Sequence, residues 1–176
     1  MLKNINKNIK ILYVEDDEVA RENGIEYLQN FFAQIYEASD AIKALQLYEK
    51  YQPDIIITDI QMPKLNGLEF VQRIRQKDKK TKIIIITAFC EKDYLLKAIE
   101  LGLVKYLVKP VREKEFEEAL FLCVNSLQED SSNIVKLDVD SYFDTFNKNL
   151  VIKNEIIKLR TKELIFLELL IKNKNR

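Results

Sequence analysis

Apolar residues along the chain fall into two alternating kinds of run. Ile9-Lys10-Ile11-Leu12-Tyr13-Val14 is short and almost continuously apolar, and Ile55–Thr58, Ile83–Thr87 and Lys105–Val108 repeat the type. Runs of this kind predict strands buried on both faces. Ala33–Ala38 is a weaker fifth. The intervening segments, Val19–Phe31, Asp40–Tyr51, Leu68–Gln76, Asp93–Leu101 and Glu113–Leu127, space their apolar residues by three and four, as in Leu68, Val71 and Ile74. That spacing predicts amphipathic helices. Strand and helix alternate five times, and each crossover helix must pack back onto the sheet, so the pattern predicts a doubly wound α/β domain with a five-stranded parallel sheet over about residues 8 to 128.

The pattern then changes. Gln128-Glu129-Asp130-Ser131-Ser132-Asn133 is polar and reads as a linker. Val135–Val139 alternates at period two, and strand-like pieces follow at Tyr142–Thr145, Leu150–Ile152 and Ile156–Leu159, with Asn and Lys turns between them. A helix opens at Thr161-Lys162-Glu163 with Leu164, Leu167 and Ile171 on one face and Thr161 as its N-cap. The expected organisation is a first domain over 1–128, a linker over 129–134, and a small partial β-sheet with one helix over 135–176.

Composition narrows the class. The chain is 47% hydrophobic and 32% charged, with only three Gly and three Pro, which suits long regular elements and a sizeable core. Lys plus Arg equals Asp plus Glu at 28 each, so any attraction to nucleic acid or anionic lipid must be local. The apolar runs are far below the roughly 18 residues of a membrane span, and the start MLKNINKNIK is too polar for a secretory signal, so the expected address is the cytoplasm, with no membrane partner. Cys90 and Cys123 lack CxxC spacing and read as buried free thiols. Histidine is absent, which excludes Ser-His-Asp and Cys-His sites and disfavours zinc. Any phosphohistidine involved must belong to another molecule.

Ligands of an open parallel sheet gather outside the carboxyl ends of its strands. Here the first strand ends in Glu15-Asp16-Asp17, the third in Asp59, the fourth in Thr87 and the fifth in Lys109-Pro110. Taken singly, Asp17 or Asp40 reads as a helix cap, Thr87 as structural and Lys109 as a surface lysine. Taken together they place carboxylates, a hydroxyl and a cation on one edge. Clustered carboxylates lose ionisation unless a cation joins them, and Mg²⁺, which takes oxygen ligands, suits Glu15, Asp16 and Asp59. A carboxylate oxygen of Asp59 beside Mg²⁺ can attack a phosphoryl group, Lys109 can pair with the acyl phosphate, and Thr87 can donate to a phosphoryl oxygen.

The pieces ILYVEDD, DIIITDIQMPKLNGLEF, IIIITAF and KYLVKP resemble the receiver domain of two-component response regulators. The resemblance implies a flavodoxin-like receiver, phosphorylation of Asp59 by a sensor histidine kinase, and Mg²⁺ held by Glu15, Asp16, Asp59 and the Gln61 carbonyl. It also implies a Thr87–Tyr106 switch pair acting on the α4-β5-α5 face, and a cis Lys109-Pro110 bond. Tyr106 is otherwise an ordinary partly buried aromatic. Gly67 reads as supplying a turn conformation and Pro63 as keeping the loop from pairing as a strand. The tail is similar to the start of an OmpR/PhoB-type winged-helix output domain, and the sequence stops at Arg176, before that family's recognition helix and wing. Residues 131–176 carry nine basic and six acidic side chains, and the terminal KNKNR reads as a solvated helix end in preference to a phosphate contact. Leu103-Val104-Lys105 stands where that group carries acidic residues, so the homodimer implied is expected to rest on a more hydrophobic contact.

Two other readings compete. A stand-alone receiver would signal through protein contacts without DNA. A Mg²⁺-dependent aspartyl phosphohydrolase, the enzymatic alternative, would want a DxD after the first strand, where this chain has Glu15-Asp16-Asp17. The phosphoacceptor reading is therefore that of a signalling switch that assists its own transfer, not of an enzyme acting on a substrate.

Overall fold

A computed structural model describes residues 9–88, 91–132, 134–145, 148–153 and 155–174. Five parallel strands, β1 (Lys10–Val14), β2 (Gln34–Ala38), β3 (Ile55–Thr58), β4 (Lys82–Thr87) and β5 (Lys105–Val108), form one sheet in the order β2-β1-β3-β4-β5. Helices α1 (Glu18–Gln29), α2 (Ala41–Tyr51), α3 (Gly67–Arg75), α4 (Lys92–Glu100) and α5 (Glu113–Ser132) alternate with them. This is the doubly wound parallel sheet that the alternation predicts, in the flavodoxin-like form that the resemblance implies.

The strand residues divide by parity. Leu12, Ile56 and Ile83 are register partners, and they pack with Ala41, Ala44 and Tyr48 of α2 and Phe70, Val71 and Ile74 of α3. Ile11, Tyr13, Ile57 and Ile84 take the opposite face, where the Tyr13 ring meets α1 at Gly24 and the Tyr27 and Phe116 rings join α1 to α5 at 5.6 Å. The three isoleucines of β3 are fully buried, and each contributes roughly 1.5–3 kcal/mol relative to exposure. A stiff, doubly covered β3 is what holds the residue after it in place.

The chain divides into two compact units between Asn125 and Ser126. Helix α5 continues to Ser132, through the stretch that reads as a linker. The reason is local: Gln128 to Ser132 holds no Gly or Pro, and polar residues prolong a helix at little cost. In the second unit β6 (Ile134–Asp138), β7 (Ser141–Asp144), β8 (Asn149–Ile152) and β9 (Glu155–Ile157) form an antiparallel meander, followed by α6 (Thr161–Lys174). Phe143 and Val151 are its buried apolar residues.

Thr161 is the first helical residue rather than the N-cap. Arg160 precedes the helix, and its backbone N–H donates to the Glu163 carboxylate at 2.8 Å. A glutamate three residues on can satisfy that orphan donor, so the hydroxyl is not needed as a cap. Lys148 pairs with Glu168 and ties the β7–β8 turn to α6. Among the described residues no helix is long and apolar enough to cross a membrane. Cys90 and the terminal residues 175–176 lie outside the described residues, as do the side chains of 172–174, and with them the solvated helix end read in KNKNR. Cys123 is buried in α5.

Candidate functional site

The sheet ladder runs one residue past the strands at their carboxyl edge. Glu15 N–H donates to the Ala38 carbonyl at 3.1 Å, Asp59 N–H to Val14 at 3.0 Å, and Lys109 N–H to Thr87 at 2.7 Å. The backbones of the candidate residues are therefore set by the sheet itself. Adjacent strands β1 and β3 bring Glu15 and Asp59 together, although 43 residues of sequence, including β2, lie between them.

Lys109 joins them. Its Nζ lies 2.6 Å from Asp59 Oδ2 and 2.8 Å from Glu15 Oε2. Glu15 is 3% and Asp59 7% exposed. Burial raises the Glu15 carboxyl above the usual carboxylate range; Lys109 opposes that rise, and repulsion from Asp59 and Asp16 adds to it. Burial alone would lower the Lys109 ammonium, but hydrogen bonds and attraction to Asp59 and Glu15 outweigh it and raise the pKa. The lysine is thus held charged beside Asp59 by the carboxylates it neutralises.

Asp59 Oδ1 accepts from the Gln61 backbone N–H at 3.0 Å. Thr58 Oγ1 donates to the Asp59 carbonyl at 2.9 Å, and the Gly67 N–H to the Ile60 carbonyl at 2.9 Å. Gly67 does not serve through a left-handed turn. A Cβ there would meet the Asp59 carbonyl oxygen at 1.9 Å, so the residue is needed for close approach of two backbones. Asn66 caps α3 by accepting from Glu69 N–H at 2.9 Å.

The remaining residues take different places. Asp17 caps α1, accepting from Ala20 N–H, and Asp40 caps α2, as their solitary readings anticipate. Thr87 is fully buried at the end of β4. Tyr106 is half-buried on β5, opposite Ile85 in register, and packs against the small cluster of Ile60, Leu68 and Ile85. Thr87 and Tyr106 thus stand on neighbouring strands. The Lys109–Pro110 bond is cis. Leu103 and Val104 are half-buried, and Leu103 packs on two apolar clusters, so they do not supply an exposed contact. The exposed apolar residues nearby are Leu96 and Ile99 of α4, Val108 of β5 and Leu122 of α5.

Glu15, Asp16 and Asp59 are not drawn into one group. Asp16 is exposed, Lys109 occupies the space between the two buried carboxylates, and no three metal-ligating residues among those described could hold an ion by themselves. The donor set still fits a hard divalent cation. Mg²⁺ takes one or two carboxylates and keeps several waters, and Asp16 and Gln61 line an open depression of about 350 Å³ with Met62, Asn66 and Tyr94.

One supporting residue has no signal in the sequence. Arg21, from the second turn of α1, donates to the Glu15 carbonyl at 2.9 Å and the Asp16 carbonyl at 3.4 Å, and pairs with Glu37 at 3.2 Å. Its place reads only as one charged residue among many on an amphipathic helix.

A parallel sheet of this order, with two buried acids and a lysine meeting at its carboxyl edge, defines a receiver-type α/β domain. Residues 11–121 match the response regulator receiver domain, and the chain belongs to that family of two-component signalling proteins. It is 30% identical over 150 residues to an uncharacterized response regulatory protein of Staphylococcus epidermidis, covering 76% of this chain and 59% of that one. It is 38% identical over 114 residues to the transcriptional regulatory protein BtsR of Salmonella typhi, covering 64% and 46%. The chain thus spans about three-fifths or less of these relatives' length. Among solved structures, the N-terminal domain of an uncharacterized protein from Wolinella succinogenes is 40% identical with a TM-score of 0.64, covering 70% of this chain and 98% of that one. A LuxR-family DNA-binding response regulator from Staphylococcus aureus is 28% identical with a TM-score of 0.62, covering 66% and 99%.

Proposed function

We propose that Asp59 accepts a phosphoryl group from a sensor histidine kinase. The observation that carries this reading is the Lys109 ammonium held between Asp59 and Glu15 at 2.6 and 2.8 Å. In the transfer, an Asp59 carboxylate oxygen forms a bond to phosphorus as the bond from phosphorus to the kinase's histidine nitrogen breaks. Lys109 opposes the negative charge on the phosphoryl oxygens and then pairs with the acyl phosphate. Water later forms a bond to phosphorus as the bond to the Asp59 oxygen breaks, which releases inorganic phosphate and restores the Asp59 carboxylate. Glu15, Asp16, Asp59 and the Gln61 carbonyl would hold Mg²⁺, which neutralises phosphoryl charge when bound.

The signal leaves through Thr87 and Tyr106. The Thr87 hydroxyl donates to a phosphoryl oxygen, which opens room for Tyr106 to pack behind it. The face of α4, β5 and α5 then changes shape. Each of these three elements carries exposed apolar residues, Leu96 and Ile99 on α4, Val108 on β5 and Leu122 on α5, which supports homodimerisation through them. The order of the second unit, a four-stranded antiparallel sheet and then a helix, supports an OmpR/PhoB-like output domain; the names of relatives support only the coarser reading of a transcriptional role, one of them being of the LuxR family.

The test is labelling with acetyl phosphate and Mg²⁺. Wild type takes up one phosphoryl group and Asp59→Asn takes up none; equal labelling of the two overturns the assignment. Sedimentation and gel shift with and without beryllofluoride then separate the outputs: association without any DNA shift would place signalling in protein contacts instead.

A further inference from the structure

Six of the 28 basic residues stand within Arg73 to Lys82, against one acid, in a chain whose net charge is zero. This stretch is the end of α3 and the loop into β4, at the amino edge of the sheet, opposite the candidate phosphoacceptor. Arg73, Lys77, Lys79 and Lys80 are exposed. The one acid among them does not neutralise them at the surface. Asp78 accepts from Tyr48 Oη at 2.8 Å, from the Lys80 N–H at 2.6 Å, and from the N–H and hydroxyl of Thr81.

The loop is also fixed in shape. Arg75 donates to the carbonyls of Leu101 at 2.8 Å, Asp78 at 3.1 Å and Thr81 at 2.8 Å. Its guanidinium is half-buried and staples the turn on which the lysines stand. The neighbouring end of α2 adds Lys50 and one opposing charge, Glu49, which Lys77 approaches at 3.9 Å. Glu100, exposed at the end of α4 beside the Leu101 carbonyl that Arg75 holds, is a second acid, and the exposed balance remains positive.

The character of the surface selects its partner. Among the described residues no large exposed apolar side chain lies between Ile42 and Leu96. A protein interface wants apolar or aromatic anchors, and an interfacial lipid site wants apolar residues to insert. A fixed basic surface with no large exposed aliphatic anchor, its nearest aromatic being the half-buried Tyr51 under Lys50, fits a partner bound chiefly by charge. We propose that this amino-edge surface docks on the phosphate backbone of duplex nucleic acid, as a contact without sequence preference. It does not depend on phosphorylation of Asp59, because the two lie at opposite edges of the sheet.

The test uses the full 176-residue chain and a fluorescently labelled duplex of arbitrary sequence, read by anisotropy across a salt series. Four neutralised phosphates predict a slope of log K against log salt of about −3.6, a loss of roughly a hundredfold between about 50 and 200 mM salt. The combined variant Arg73→Gln, Lys77→Gln, Lys79→Gln, Lys80→Gln should abolish that binding and flatten the slope. Its acetyl phosphate labelling and circular dichroism should match wild type, since none of the four is buried. A control variant in the second unit, Lys158→Gln, Arg160→Gln, Lys162→Gln, should bind like wild type. Absence of binding at the low-salt end overturns the proposal, as does a patch variant that binds like wild type. So does stronger binding to phosphatidylserine vesicles than to the duplex.

Discussion

Lys109 Nζ stands 2.6 Å from Asp59 Oδ2, a contact made across 50 residues of sequence and supported by the 2.8 Å bond to Glu15 on the other side. Replacing the lysine by methionine keeps much of its length and removes the charge. Two nearly buried carboxylates would then repel without a cation. Stability near pH 7 should fall by about 1–3 kcal/mol in urea denaturation. Labelling from acetyl phosphate should slow by about a hundredfold, the scale for loss of one charge-stabilising donor. An unchanged rate would remove Lys109 from the chemistry.

Gly67→Ala probes the approach of α3 to the phosphoacceptor. The added methyl meets the Asp59 carbonyl oxygen at 1.9 Å, and backbone cannot yield as a side chain can. The variant should lose about 1–3 kcal/mol, the cost of overpacking, and label more slowly because the Asp59 backbone must move. Wild-type stability and rate together would show that the loop has slack.

Two acids give opposite pH dependences. Burial pushes Asp78 up, but hydrogen bonds from Thr81, Lys80 and Tyr48 outweigh it and hold its carboxyl below the usual range. Its contribution is present above the unfolded value of about 3.9 and is lost as pH falls below that. Glu15 is raised, so the native state binds its proton more readily, and stability declines as pH rises from the ordinary glutamate range upward. Asp78→Asn should therefore be destabilising near pH 7 and close to neutral at about pH 2, while Glu15→Gln should raise stability near pH 7 and change it little in acid. Parallel urea titrations at the two pH values decide both.

Asp16→Ala separates metal affinity from folding. The side chain is exposed, and the Arg21 bond reaches only its carbonyl. Stability should stay within about 0.5 kcal/mol of wild type. The Mg²⁺ concentration for half-maximal labelling should rise by about tenfold or more. An unshifted Mg²⁺ requirement would exclude Asp16 as a ligand.

Burial pushes the Cys123 thiol up to about 12. In a Cys90→Ser background, a disulfide reagent should leave the folded protein untouched at neutral pH and react fully once urea is added. Rapid reaction of the folded protein would mean that α5 opens locally.

The bounds of β3 and β5 were readable because Ile55–Thr58 and Lys105–Val108 are apolar runs with abrupt polar ends. The same abruptness exposed Glu15, Asp59 and Lys109 as candidates. Their mutual contacts were not readable, since they depend on β1 lying beside β3, a matter of strand order that no local pattern carries. The end of α5 is not legible in the sequence, because polar residues without Gly or Pro serve a linker and a helix equally well. Nor is the reason for Gly67: a turn and a close approach leave the same letter in the sequence, and only the Asp59 carbonyl distinguishes them.

Arg21 grips the Glu15 and Asp16 carbonyls from behind, with its side chain 14% exposed. The loop that carries the two acids is therefore already shaped by the fold, and the Mg²⁺ proposed for it would meet a set backbone. A cation binding there has no chain to order, only water to shed from itself and from the carboxylates. Calorimetry of such an event should show a favourable entropy from released solvent, and loosening the grip with Arg21→Ala should turn that entropy unfavourable as the loop begins to settle around the ion.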